Sequence, residues 1–353
     1  MPTQIIADDD DGIRLDRWFQ RHVPDTSFNI VSRWARTGAI RLDGAKAAPG
    51  DRIAAGQTLV WPDVLPATAA PRPVAREREP LSQAQIDYVR GLVIHMDKHA
   101  IVINKPPGLA TQGGIGITTH VDGLLDALQY EMTTRPKLVH RLDKDTSGVL
   151  LLARTARAAA FFSKSFASRD AKKTYWGLTI DVPKVAVGEI DAPLSKQPGS
   201  GGEKMHVDTE TGLKSKTRYR VIDKAGARAA WVEFSPLTGR THQIRVHAAA
   251  IGHPLVGDAK YGGKEAFLTG GISRKLHLHA RRLVIDAPDS GKVDVTADLP
   301  AHMVESFTML GFDMDLGVPL PPLPPLPPKP KSRRLSSATS GNRRGERRSR
   351  GSN

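Results

Sequence analysis

The sequence predicts an α+β protein with a largely antiparallel sheet and flanking helices, preceded by a small α/β domain and followed by a disordered tail. Three observations carry this. Between about residues 91 and 315, short β-rich runs (LVIHM, AIVINK, VLLLA, TYWGLTI, KTRYRVI, AAWVEFS, RLVIDA) alternate with two helical patterns. Ahead of them, residues 12–61 hold two short amphipathic segments and then a strand meander. After them, residues 316–353 run through a polyproline stretch into Ser, Gly and Arg, without the apolar residues a core requires.

In the front domain, Leu15, Trp18 and Phe19 follow the i, i+3, i+4 spacing of a helix that begins near Ile13. A second helix is expected after Ser27 as N-cap, with Val31, Trp34 and Ala35 inward, Arg33 and Arg36 outward, and Gly38 as its stop. AIRLDG and the segment to Trp61 read as short strands, with Asp43-Gly44 a hairpin turn. The stretch PDVLPATAAPRPVAREREP lacks periodicity, so residues 62–90 are expected to be an exposed linker between units free to move independently. In the larger domain, 91–315, one helix spans about Thr155–Arg169. Another follows Thr241, with Ile244, Ala248 and Ile251 on one face and Gly252 at its end.

Composition removes several functions. A chain of 353 residues without cysteine has no disulfide framework, thiolate metal site or cysteine nucleophile. The apolar runs are too short to span a bilayer, and the acidic MPTQIIADDDDG start is unlike a signal peptide, so a soluble, cytoplasmic protein is expected. The formal charge is +14, of which +8 falls between Lys329 and Asn353 (nine Lys or Arg against one Glu). A mildly basic body with a strongly basic tail suits a polyanionic partner, although a tail that merely solubilises has the same composition.

Two polar clusters could do chemistry. VHRLDKDTSGVLLLA at 139–153 places His140, Arg141, Asp143, Lys144 and Asp145 in a loop between apolar runs. Rigid strands often hold catalytic groups in such a loop, and a plain turn stabilised by Asp and Ser looks the same by spacing. SPLTGRTHQIRVHAAAIGHPLVGDAKYGG at 235–263 lets Gly239 and Thr241 open a helix, with Arg240, His242 and Arg245 in its first turn beside any bound anion. His242 and His247 are five apart, about 140° around a helix, so they do not share a metal on one face. No metal or other cofactor is expected.

HRLDKDTSG, TYWGL and GRTHQIRVH…GHPLVGDAKYG together resemble the RluA-type family of RNA pseudouridine synthases, and INKPPG at 103–108 is similar to that family's opening motif. The match covers about residues 91–290. Residues 12–61 resemble the small RNA-binding domain named after ribosomal small-subunit protein four, an arrangement typical of the RluC and RluD branch acting on large-subunit ribosomal RNA. The resemblance implies a pseudouridine synthase catalytic domain with Asp143 as catalytic aspartate. It also implies Tyr175 as the aromatic that packs on the target base, and Arg245 as the basic residue that ion-pairs with the aspartate and keeps it ionised. It places Arg141 beside the flipped-out nucleotide, while His140, Arg240 and His242, taken from the two polar clusters, are expected as further substrate contacts. Arg33, Arg36 and Arg41 would meet RNA phosphates from the front domain.

The chemistry agrees with these residues. Uridine isomerisation cuts the bond from the sugar to ring nitrogen, turns the base and rejoins the sugar to carbon 5, which calls for one carboxylate and no cofactor. The base must leave the stack, and an aromatic with a basic rim offers it a pocket. The expected partner is RNA, large-subunit ribosomal RNA by the branch resemblance, with no membrane and a monomeric enzyme. Two other readings stay open at this point: a non-catalytic RNA-binding or ribosome-assembly factor, and a nuclease or glycosidase built on Asp143 and Asp145.

Overall fold

The computed structural model describes residues 1–23, 26–63, 80–114, 116–197, 204–317 and 323. Most of the expected linker (64–79) and of the expected tail therefore lies outside the described residues. The chain forms two units, Met1–Pro80 and Leu81–Asn353.

The first unit has two helices, α1 (Leu15–His22) and α2 (Phe28–Thr37), and four strands, β1 (Thr3–Ile5), β2 (Arg41–Leu42), β3 (Ala45–Lys46) and β4 (Thr58–Val60). The strands pair in the order β1-β4-β2-β3. Both helices fall where the spacing put them. Leu15, Trp18 and Phe19 are fully buried, Trp18 and Phe19 meet Trp61 edge-on, and Gly38 ends α2 in the left-handed conformation. Asp43 and Gly44 both take positive φ at the β2–β3 turn, as an Asp-Gly hairpin requires. The unit begins earlier than residue 12, because β1 pairs with β4 antiparallel.

In the second unit the helices are α3 (Gln83–Gly91), α4 (Val121–Leu124), α5 (Ala156–Ser168), α6 (Gln243–Ala250), α7 (Ala259–Gly262) and α8 (Ala301–Met309). The strands are β5 (Val93–Met96), β6 (Ala100–Lys105), β7 (Lys137–Leu138), β8 (Ser147–Ala153), β9 (Lys172–Ile180), β10 (Val187–Asp191), β11 (Leu194–Lys196) and β12 (Met205–Val207). They continue with β13 (Lys216–Ala225), β14 (Ala229–Pro236), β15 (Leu278–Asp286) and β16 (Lys292–Thr296). Ten of these strands form one sheet whose main path is β10-β13-β14-β9-β15-β8-β6-β5. Only β15 with β8 is parallel, over two residue pairs. β8 is buried along its whole length between two apolar clusters, which explains its unbroken run of apolar residues.

The short β8–β15 contact is the seam of the sheet. At Gly148, φ is +110° and an added Cβ would stand 2.2 Å from the Ala280 carbonyl oxygen, so only glycine lets the strands approach. Beside it, the Ser147 hydroxyl bonds His279 Nδ1 (2.9 Å), whose Nε2 faces the Ala297 carbonyl (3.1 Å). Beyond this point β15 pairs with β16 instead, so β8 starts at the seam and the HRLD loop in front of it opens there.

Two expected boundaries shift. Residues 83–90, expected within the linker, form α3 together with Gly91, started by a reciprocal Ser82/Gln85 capping box, and Val89 is buried in the core under α4. At the other end, a 3-10 turn at Met314–Gly317 carries the domain past residue 315, with Gly317 packed so closely that a Cβ would lie 2.5 Å from Trp176.

Candidate active site

The loop before β8 is fixed at the backbone. Thr111 Oγ1 accepts the Leu142 N–H (3.1 Å) and donates to the Leu142 carbonyl (2.7 Å). Two residues further on, the Lys144 carbonyl accepts from Gly108 N (2.9 Å) and from Lys105 Nζ (3.0 Å). Lys105 is wholly buried at the end of β6, and its ammonium also donates to the Pro106 (2.9 Å) and Leu109 (2.8 Å) carbonyls. Burial pulls it down to about 7, while Asp145 and Asp143 favour its charged form. Asp143, between these clamped neighbours, has little backbone freedom.

Asp143 projects into a pocket of about 290 Å³ whose wall also includes His140, Arg141, Lys173, Tyr175, Arg240, His242 and Arg245. The sequence reading singled out seven of these eight side chains, four through the resemblance and three through the two polar clusters, and the fold brings all seven together. Arg33, Arg36 and Arg41 belong to the first unit, exposed on α2 and β2.

The expected Arg245–Asp143 ion pair is present, and Arg245 favours the ionised carboxylate, but at 3.9 Å it is the looser of the two carboxylate contacts that Arg245 makes. The bidentate partner of Arg245 is Asp258, through Nε to Oδ2 (2.8 Å) and Nη2 to Oδ1 (2.7 Å), with both residues buried. Arg245 Nη1 stands 3.9 Å from Asp143 Oδ2, and His242 Nε2 stands 3.8 Å from the same oxygen. Burial lifts the Asp143 carboxyl above its ordinary value. Arg245, Arg141 and Lys105 oppose the lift, and Asp258 adds to it. The Asp258 carboxylate shares the Arg245 charge, so burial outweighs the cations around Asp143.

The helix carrying Arg245 starts one residue later than expected, at Gln243. Gln243 sets its start: Oε1 accepts from Thr238 Oγ1 (2.6 Å) and Arg240 N (3.1 Å), while Nε2 donates to the Lys216 carbonyl (2.9 Å) and Thr217 Oγ1 (3.0 Å). That amide ties the 238–240 loop to β13, so Gly239 and Thr241 do not open α6. Arg240 and His242 precede the first turn, with His242 in the left-handed region at φ 52°. Its Nδ1 bonds the Tyr261 hydroxyl (2.6 Å), which also accepts the Met205 N–H (3.1 Å).

Tyr175 lies on β9 with its hydroxyl pushed up by burial and then by Asp143, so it presents a neutral ring. His140 has one ring nitrogen accepting the Leu151 N–H (2.9 Å) and its ring stacked on Phe166, with centroids 4.3 Å apart. Burial and then Lys173 lower it to about 3, so it offers the pocket a neutral face, not a charged substrate contact. Asp258, Tyr261, Gln243, Lys105 and Lys173 were not singled out in the sequence. All but Lys173 lie in the GRTHQIRVH, GDAKYG and INKPPG motifs already noted, and that motif membership is the signal that could have found them.

Residues 99–250 match the sequence model described as RNA pseudouridylate synthase. The chain is 33% identical over 299 residues to the ribosomal large subunit pseudouridine synthase C of Rickettsia felis, covering 83% of this chain and 95% of that protein. It is 34% identical to the protein of the same name from Salmonella typhimurium, covering 82% and 89%. With RNA pseudouridine synthase 4, mitochondrial, of Arabidopsis thaliana it shares 32% identity, covering 83% and 78%. Among solved structures it is similar to human RNA pseudouridylate synthase domain containing 4, with TM-score 0.56 and 28% identity over 65% of this chain and 97% of that one. A clamped aspartate at the mouth of a split sheet, faced by an aromatic ring and an arginine, thus occurs in a chain whose relatives share it nearly end to end: the chain belongs to the RNA pseudouridylate synthase family.

Proposed function

We propose that this protein isomerises uridine to pseudouridine in large-subunit ribosomal RNA, with Asp143 as the reacting carboxylate. The observation that carries the reading is the position of Asp143. It is the one carboxylate on the wall of the 290 Å³ pocket, among the described residues, and burial raises it against nearby cations. A poorly solvated carboxylate is a stronger nucleophile and base than one in water, and the pocket is open enough to admit a flipped base.

The reaction breaks the bond from N1 to C1′, turns the uracil, and joins C5 to C1′. One proton leaves C5 and one is gained at N1. Attack on C1′, addition to the base, and removal of the 2′ proton each need a single ionised carboxylate beside the sugar–base bond. Tyr175 supplies a flat apolar face on which uracil stacks while it turns. Arg245, kept in place by Asp258, sets the field at Asp143 without carrying off its charge.

The target class follows the names of the relatives from Rickettsia felis and Salmonella typhimurium. Exposed Arg33 and Arg36 on α2 support an RNA-contacting role for the first unit. In this reading the enzyme works as a cytoplasmic monomer; among the described residues no helix is long and apolar enough to cross a membrane. The non-catalytic RNA-binding alternative leaves the clamped, desolvated Asp143 without a purpose. The nuclease or glycosidase reading needs a second acid facing the base; Asp145 and Asp258 meet Asp143 only in the adjoining cleft, where Arg245 already holds Asp258.

The test is purified protein incubated with ribosomal RNA from cells lacking the gene. Pseudouridine should form with wild type and not with Asp143→Asn, whose RNA affinity should stay within several-fold. Equal turnover by the variant would overturn the assignment.

A further inference from the structure

Lys173 stands out among the groups of the pocket that the reaction does not use. It lies on β9 two residues before Tyr175, so the two side chains emerge on the same face of the strand, about 7 Å apart along it. Both line the pocket, at a separation comparable to that between the base and phosphate of one nucleotide.

Lys173 is half-buried, and its ammonium donates to the Thr238 carbonyl (3.3 Å), leaving further protons for another acceptor. No carboxylate pairs with it among the described residues. The charged group acting on it is a second cation, Arg169, held at the end of α5 in the left-handed conformation (φ 70°). Burial and then Arg169 both lower its affinity for a proton. Arg169 is exposed and outside the pocket wall, yet close enough for its charge to act on Lys173, so an anion bound at Lys173 would gain from both cations. Asp143 does not fill that role: the cations that act on it are Arg245, Arg141 and Lys105. The pocket therefore has an acidic end at Asp143 and an uncompensated basic end at Lys173.

We propose that Lys173, with Arg169 at its rim, forms a phosphate subsite that takes the phosphodiester of the flipped nucleotide while its base lies on Tyr175. This rests on the uridine reading above, and it adds the group that holds the nucleotide by its backbone. The chemistry is charge pairing with no bond made or broken, so Lys173 is a binding residue and not one that takes part in the isomerisation.

The test compares wild type, Lys173→Met and Lys173→Arg on ribosomal RNA from cells lacking the gene. Turnover is followed by release of tritium from C5-labelled uridine over a range of salt. The subsite predicts that Lys173→Met raises KM about tenfold or more with kcat within threefold. The slope of log kcat/KM against log salt should fall by about one phosphate contact, roughly 0.7 to 0.9, and Lys173→Arg should recover most of KM. Thermal unfolding of Lys173→Met should be unchanged or higher, since an unpaired charge has been removed. A fall in kcat with unchanged KM would overturn the subsite and put Lys173 on the reacting ring. Unchanged KM and salt slope would also overturn it. Should Lys173→Met not fold, Lys173→Gln replaces it with the same criteria. Wild type that releases no tritium would instead count against the uridine reading, so the two failures are separate.

Discussion

Arg245 grips Asp258 through two hydrogen bonds of 2.8 and 2.7 Å while its remaining Nη1 stands 3.9 Å from Asp143. Asp258 thus decides how much of the guanidinium's charge reaches Asp143. Its own charge raises Asp143 directly, and its two hydrogen bonds hold the Arg245 guanidinium in place. Replacing Asp258 by Asn should lower the Asp143 pKa, moving the acid limb of kcat/KM to lower pH while kcat falls. Asp258→Ala, which leaves Arg245 buried without its partner, should cost about 3–5 kcal/mol of stability. An acid limb that stays in place in Asp258→Asn would show that the pair does not tune Asp143.

Asp143 should be a destabilising residue. Burial raises its folded-state value above the ordinary one, so its contribution to stability is present at low pH and lost as pH rises through the folded value. At neutral pH, Asp143→Asn should therefore unfold at the same temperature as wild type or higher. The difference should vanish at pH values where the carboxyl is protonated in both states. Calorimetry of both proteins at two pH values measures this, and a lower melting temperature for the variant at pH 7 would contradict it.

The buried histidines set an acid limit. Burial brings His277 and His279 to about 4 and His140 to about 3. Groups so depressed contribute stability that is full above the ordinary histidine value of about 6.5 and is lost as pH falls toward these folded values. Unfolding free energy should drop steeply between about pH 6 and 4. In His279→Gln the slope should be shallower by up to about 1.4 kcal/mol per pH unit. An identical slope would mean that His279 is not held neutral.

Gly148→Ala should be among the most damaging single-methyl changes in the second unit. Its Cβ would lie 2.2 Å from the Ala280 oxygen, and φ at this position is +110°. Since β8 and β15 meet over only two pairs, separating them opens the floor beneath Asp143. Loss of soluble protein, or destabilisation by more than about 3 kcal/mol with loss of turnover, is expected. A stable, active variant would show that the seam tolerates displacement.

Much of this was legible in the sequence, for identifiable reasons. The helix over 156–168 and the first-unit helices were found because apolar spacing and capping residues agree locally. Asp143, Tyr175 and Arg245 were found through motif resemblance, which encodes proximity that spacing does not. What escaped depends on distant partners. Asp258 matters because Arg245, thirteen residues away, reaches it; Lys105 because carbonyls from two loops converge on its ammonium. Helix α3 was hidden by its Pro- and Ala-rich preface, although Ser82 and Gln85 are a capping box in plain sequence. β16 was missed because five residues of KVDVT alternate too briefly to stand out, and β15 supplies its pairing.

The measurement that bears most directly on the central claim is a chemical map of pseudouridine in total RNA from cells with the gene, without it, and complemented by wild type or Asp143→Asn. The account predicts that specific large-subunit sites disappear with the gene and return with wild type alone. A map unchanged by deletion, or restored equally by Asp143→Asn, would contradict it.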